Sequence, residues 1–301
     1  MTSRREFLKA AGVAPALLLA AQCSRVGLAA TAAGKKLPQI AFGKHHISRL
    51  VCGANPFNGG SHLSDFVNRE MKSYYTPEQI LKTLRRCEEA GITCWQAGTG
   101  NSELYRRYVG EGGTMQFMVI ESNAKQIASL VAAGAIGVAH HGEVTDHLFK
   151  NGQIDKVADF LKRVKDAGLM AGVSTHMPAV VDTIESKGWD LDYYMTCVYQ
   201  RNRTQEELEK LLGQVPLPVG EVYLAQDPPQ MYKAVQHTKR PCLAFKILAA
   251  GRLSDHHQRV EEAFRQAFQS IKPGDGVIVG MYDRYTDQPS DNASLTRRFV
   301  G

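Results

Sequence analysis

The chain has 301 residues, enough for two average domains or one α/β barrel, and its 44% hydrophobic content can fill one large core. A charged fraction of 22% and a net charge of +6 make it mildly basic. The lysines and arginines are scattered, with no basic stripe interleaved with aromatics, which argues against nucleic acid as a partner.

At the amino terminus, Ser3-Arg4-Arg5-Glu6-Phe7-Leu8-Lys9 precedes a moderately apolar run over residues 10–21. This pattern resembles a twin-arginine (Tat) signal peptide. The resemblance implies a chain folded before export, handled by the Tat machinery and released into the periplasm or another extracytoplasmic space. Small residues at 28–30 and 31–33 offer cleavage points, so residues 1–33 are assigned to the signal peptide and 34–301 to a single domain. Gln22 stands where a small residue would precede a lipidated Cys23, which disfavours a lipoprotein. Beyond the signal no run of 18 apolar residues occurs, so no membrane span is expected. Cys52, Cys87, Cys94, Cys197 and Cys242 contain no C-x-x-C pair and lie mostly in apolar runs, which predicts buried free thiols.

From residue 39 onward, short apolar runs alternate with amphipathic segments. Eight runs read as strands: residues 47–53, 93–97, 115–120, 135–139, 169–173, 193–198, 242–247 and 276–280. Helical patterns cover residues 77–90, 123–132, 154–167, 178–187, 204–212, 229–237 and 259–270, several with clear starts such as Thr76-Pro77. This alternation predicts an α/β fold, a (β/α)8 TIM barrel. A doubly wound sheet fits less well, because residues 53–60 contain glycines without a G-x-G-x-x-G turn opening a helix.

Several motifs then line up in order. Residues 46–55, the run Ala90-Gly-Ile-Thr-Cys-Trp-Gln-Ala97, Asn101-Ser-Glu103, residues 166–174, residues 194–199 and residues 244–253 together resemble the aldo-keto reductases. The resemblance implies the barrel and, in that family, NADP-dependent hydride transfer through an Asp, Tyr, Lys and His tetrad. Here Gln96 stands in place of the Asp, Gly98-Thr-Gly-Asn101 in place of the Tyr turn, and Glu121-Ser-Asn123 in place of the Lys. Only a His after the fourth strand survives, as His140 or His141. Loss of the proton donor and its neighbouring cation disfavours NADP as the cofactor.

Residues just past each strand converge on one mouth of such a barrel. They are Asn55, Asn58, Gln96, Glu121, Asn123, His140, His141, Glu143, His176, Tyr199, Gln200, Lys246 and Asp283. Glu121, His140 and His176, from neighbouring strands, are a candidate ligand set for a divalent ion such as Mn2+ or Zn2+. Without a metal, Glu121, His140, His141 and Lys246 are the candidate acid–base and electrostatic groups. Asn55, Gln96, Glu143, Tyr199, Gln200 and Asp283 are candidate substrate contacts. Strand alternation lets only one of the two histidines face the mouth, and His140 is the expected one. Plainer roles compete: one histidine as a hydrogen-bonded core residue, Glu121 paired with Lys246, His176 capping the next helix, and Tyr199 with Gln200 packing the rim. His62, His256 and His257 read as surface residues.

The reading that results is an exported barrel enzyme acting on a small polyhydroxylated or carbonyl, sugar-like substrate, as a lyase, hydratase or isomerase. The alternatives are a divergent NADP-dependent oxidoreductase and a non-catalytic periplasmic binding protein.

Overall fold

The computed structural model describes residues 36–215, 217 and 221–300, so the signal-peptide assignment over residues 1–33 lies outside the described residues. The eight expected strands are all present. They are β3 (Leu50–Gly53), β4 (Cys94–Gly98), β5 (Gln116–Glu121), β6 (Ala135–His140), β7 (Met170–Thr175), β8 (Tyr193–Cys197), β9 (Cys242–Phe245) and β10 (Gly276–Gly280). Each pairs in parallel with its neighbour, and the sheet closes where Val277 of β10 meets Leu50 of β3. A short antiparallel hairpin, β1 (Gln39–Phe42) and β2 (His45–Ser48), precedes the barrel. The apolar run over residues 47–53 therefore splits between β2 and β3. Arg49 breaks it, donating its amide to Pro38 O and its Nε to Asp275 O.

Every barrel strand is followed by at least one helix. After β3 come α1 (Asp65–Tyr74) and α2 (Pro77–Glu89); after β4, α3 (Ser102–Gly110); after β5, α4 (Ile127–Ala132); after β6, α5 (Gly142–Lys150) and α6 (Asp155–Asp166). Then α7 (Pro178–Lys187) follows β7, α8 (Gln205–Leu212) and α9 (Asp227–His237) follow β8, α10 (His257–Ser270) follows β9, and α11 (Gln288–Val300) ends the chain. The caps are those the sequence marks: Thr76 accepts from the Gln79 amide with Pro77 in the first turn, and Thr204 with Glu207 forms a capping box. Helices α1, α3, α5 and α11 were not among the expected segments, since their apolar spacing is broken by polar or small residues.

Two cores result from the period-two alternation of the strands. Inside the barrel lie Val51, Cys94, Met118, Ala139, Met170, Tyr193, Met195, Leu243 and Ile278, and the hairpin residues Ile40, Phe42 and Ile47 join them. The hairpin thus seals the end of the barrel opposite the strands' carboxyl ends, with the Phe42 ring 4.8 Å from that of Tyr193. Between strands and helices the outer core includes Leu84, Trp95, Phe117, Val138, Phe160, Val173 and Tyr194. The five cysteines of the domain are buried and free, as expected. Among the described residues no helix is long and apolar enough to cross a membrane.

Gly172 faces the crowded interior, where an added Cβ would overlap the Tyr193 ring. Gly172→Ala should therefore destabilise the barrel by about 1–3 kcal/mol, as overpacking does. Urea unfolding at equilibrium measures this, and an unchanged midpoint would contradict the packing described.

Candidate active site

Alternation along β6 decides which of the adjacent histidines faces the mouth. Ala139 belongs to the interior core, so Val138 and His140 point outward. His140 is 3% exposed, its ring meets Phe160 of α6 edge-on at 5.0 Å, and its Nδ1–H donates to Thr145 Oγ1 at 2.7 Å. Thr145 in turn donates to His141 O, which leaves its oxygen free to accept from the imidazole. Burial, with His141 nearby, pushes the His140 imidazole down to about 4, against the opposing pull of Glu121. The expectation that His140 faces the mouth is thus corrected: it is the hydrogen-bonded core histidine, and His141 is the one at the barrel end. His141 Nδ1 is buried without a hydrogen-bond partner.

On the next strand, Thr175 points outward and His176 turns in. Its ring is 4% exposed, lies edge-on to Phe245 at 5.7 Å, and donates Nδ1–H to Asp146 Oδ2 at 2.7 Å. Asp146, 1% exposed on α5, also accepts from the Thr175 hydroxyl at 2.5 Å, the His176 amide at 3.1 Å and Asn202 Nδ2 at 3.0 Å. The carboxylate is therefore saturated, and it fixes both the tautomer and the orientation of the ring. Burial pushes the His176 imidazole below its ordinary value, more than Asp146 raises it, and the Arg201 and Lys246 charges add to the lowering. The neutral ring is left with an unprotonated Nε2. Gly142 makes this possible, since a Cβ there would stand 2.9 Å from Ser174 Oγ and 3.1 Å from His176 Cε1. His176 does not cap α7, whose N-cap is Met177.

A second group surrounds Lys246, at the end of β9. Its Nζ lies 3.2 Å from His62 Nε2. His62 Nδ1 lies 3.0 Å from Glu221 Oε1, and Asn55 Nδ2 lies 3.2 Å from His62 Nε2. Because Nε2 meets only donors, it is the acceptor, and Nδ1 carries the proton donated to Glu221. Glu221 also accepts from Tyr223 OH at 2.9 Å and from Arg201, whose other terminal nitrogen binds Glu143. Burial would raise the Glu221 carboxyl, but the His62 hydrogen bond and the Arg201 charge hold it at about 2. Burial pushes the Lys246 ammonium below the ordinary lysine value; Arg201 adds to this, while Cys197, Glu221 and Glu143 oppose it. The sequence offered Glu121 as a partner for Lys246, whereas the partner observed is the His62 imidazole. The surface assignment of His62 is corrected likewise. Asp146, His62, Glu221 and Arg201 were missed, and only the repeated carboxylate in Glu143-Val-Thr-Asp146 offered a signal.

The remaining candidates divide. Glu121 spends both oxygens locally, on Thr99 Oγ1 at 2.5 Å and on the Ser122 and Asn123 amides at 2.7 and 2.8 Å. Burial alone would raise its carboxyl, but these donors and His141 keep it below the usual range. Gln96 is buried and donates to Ala97 O, while Glu143 is held by Arg201 at the rim. Tyr199 is buried against the Tyr223 ring, and the Gln200 backbone is tied to Asp227, so both belong to the wall. Asp283 is a correction: its fully buried carboxylate accepts from Tyr74, Tyr75, Thr83 and Arg86 behind the barrel wall and does not serve a ligand. The proposed metal triad is also not assembled. His140 points outward into the core against Phe160 while His176 turns into the mouth, and among the described residues no group of three or more His, Cys, Asp or Glu side chains is placed to hold a metal ion.

No protein-family model matches the chain, and no curated protein matches it. Solved structures do. A truncated 3-deoxy-D-arabino-heptulosonate 7-phosphate synthase from Thermotoga maritima is 12% identical, over 87% of this chain and 91% of that one, with a TM-score of 0.50. Phospho-2-dehydro-3-deoxyheptonate aldolase from Thermotoga maritima is 12% identical, over 87% and 72% respectively, with a TM-score of 0.50. Dihydropteroate synthase from Xanthomonas albilineans is 13% identical, over 87% and 97%, with a TM-score of 0.47. The class thus defined is the closed (β/α)8 barrel, a fold shared with the two structures at a TM-score of 0.50.

Two measurements check the corrected assignments. Asp283→Ala removes the buried acceptor shared by Tyr75, Thr83 and Arg86 and should cost about 1–3 kcal/mol in urea unfolding; unchanged stability would contradict the structural role. His140 titrates at about 4 folded against 6.5 unfolded. Between those values the unfolded chain binds a proton that the folded one does not, so stability falls with falling pH by up to about 3 kcal/mol. His140→Gln should flatten that loss, and an identical pH dependence would contradict the assignment.

Proposed function

We propose that the barrel mouth carries acid–base chemistry on a small carbonyl compound, of the lyase, hydratase or isomerase type. The observation that carries this reading is the buried Asp146–His176 pair, which presents a neutral imidazole nitrogen to a mouth that also holds Lys246. His176 Nε2 removes a proton from the carbon beside the carbonyl, and Lys246 offsets the charge that develops on the oxygen. Polar groups around the mouth, among them Asn55, Arg201 and Asn202, suit a polyhydroxylated, sugar-like substrate. Arg201 Nε and Asn202 Oδ1 are buried without partners, a donor and an acceptor for such hydroxyls.

The motif order supports descent from an aldo-keto reductase scaffold, with His141 as the remaining histidine of the tetrad. Gln96 and Glu121 stand where reduction would need an acid and a lysine, so no step is assigned to NADP, and the separated donor set assigns none to a metal. Residues 3–9 support export through the Tat route to the periplasm.

Exchange of α-protons for deuterium, followed by proton NMR with dihydroxyacetone, pyruvate and D-fructose, tests the chemistry. His176→Ala should slow it by about 10²–10⁴-fold. The rate should fall as pH drops through the lowered His176 range, where Nε2 becomes protonated. Asp146→Asn, which removes the group that raises His176, should move that acid limb to lower pH. Exchange unaffected in His176→Ala would overturn the assignment.

A further inference from the structure

We propose that Lys246 is a covalent nucleophile whose Nζ adds to the substrate carbonyl to form an iminium, with His62, held by Glu221, as the base that takes and returns the protons. This rests on the reading of the mouth as a site for carbonyl compounds, and it gives Lys246 a second, covalent step with His62 as its base.

Three observations carry it. First, the hydrogen-bond partners fix the direction of proton flow. His62 Nε2 faces only donors, Lys246 Nζ and Asn55 Nδ2, each at 3.2 Å, so it can accept the Lys246 proton, and Glu221 behind Nδ1 stabilises the imidazolium that results. Among the described residues no carboxylate stands within ion-pair distance of Lys246, so the ammonium is not locked in a salt bridge.

Second, both partners are held in a costly backbone conformation. Among the described residues the non-glycine positions with positive φ are His62 (56°), Lys246 (61°), Ala249 (48°) and Ala250 (52°). Two of these four are the pair in contact, and the other two form the turn that follows Lys246. Left-handed backbone at side-chain-bearing residues persists only where the surroundings enforce it, and it clusters at functional sites.

Third, the enforcing contacts are visible. Arg252 Nη2 donates to His62 O at 3.0 Å and to Glu221 O at 2.9 Å, and Nη1 donates to Ala249 O at 3.3 Å. One guanidinium thus ties together the three segments that present the base, its carboxylate and the amine. The charged and titratable groups facing Lys246 are His62, Cys197, Arg201, Glu221, Glu143 and His176, and burial beside Arg201 favours the free amine.

The step balances. His62 takes a proton from the ammonium, the freed lone pair forms the C–N bond, and the carbonyl π pair moves to oxygen; the nitrogen, now cationic, gives up a second proton to that oxygen, which leaves a neutral carbinolamine. The His62 imidazolium then returns its proton to the carbinolamine hydroxyl: the C–O bond breaks, water departs, and the nitrogen lone pair completes C=N⁺. One carbonyl and one ammonium give one iminium and one water, with no oxidant or reductant consumed.

The full domain is incubated at pH 7 with glycolaldehyde, dihydroxyacetone or pyruvate and sodium cyanoborohydride, and the reduced adducts are mapped by peptide mass. Lys246 should be labelled about 10-fold or more faster than any other lysine, because more of it is the free amine at pH 7. His62→Gln should slow that labelling at pH 7 and recover as pH rises into the ordinary lysine range, while labelling of other lysines stays unchanged. Labelling of Lys246 no faster than that of surface lysines in the wild type would overturn the proposal, and this needs no variant to fold. Proton exchange that persists in Lys246→Met would sink the iminium and leave the acid–base reading standing. Selective labelling of Lys246 with no exchange of any probe would do the reverse.

Discussion

Parallel strands paired edge to edge leave no free end once β10 meets β3, and that closure is the constraint on which the mouth depends. Each strand is then fixed in register on both sides, from Val277 against Leu50 around to Ile278 against Phe245. A residue one step past a strand therefore has its direction set by the ladder and not by its own loop. The hairpin seals the opposite end with Ile40, Phe42 and Ile47, so the interior is filled below and polar only above. Polar side chains at the strand ends are buried because the wall is closed, and burial is what lowers His176 and Lys246 together.

The barrel handles its buried charges in two ways. Away from the mouth, each buried carboxylate has an arginine: Asp283 meets Arg86, which also holds Asp287, and Asp227 holds Arg203 through two hydrogen bonds. These pairs brace loops and expose little to a ligand. At the mouth the matching is uneven. Arg201 takes both Glu143 and Glu221, which leaves Lys246 with an imidazole as its partner. An amine so placed gives up its proton more readily than one held in a tight ion pair.

The shared fold accounts for the architecture and stops there. Barrels of this kind place their chemistry on the loops after the strands, so similar scaffolds host unrelated reactions. The functional argument accordingly rests on His176 with Asp146, and on Lys246 with His62 and Glu221.

The sequence by itself determined the barrel. Strands buried on both faces read as continuous apolar runs, and caps such as Thr76-Pro77 mark where helices begin, so all eight strands and most helices were legible. It also placed His141, His176 and Lys246 at strand ends. Tertiary structure alone decided what those residues do. A period of two cannot say which of two adjacent histidines faces inward until a neighbour such as Ala139 is known to lie inside, and that alternation gives His140 to Phe160 and the core. His62 and Glu221 are 159 residues apart in loops with no periodicity, and only barrel closure brings β3 and β9 close enough for His62 to reach Lys246. Local pattern encodes which elements form; long-range contacts, which no local pattern carries, decide which of their polar side chains meet.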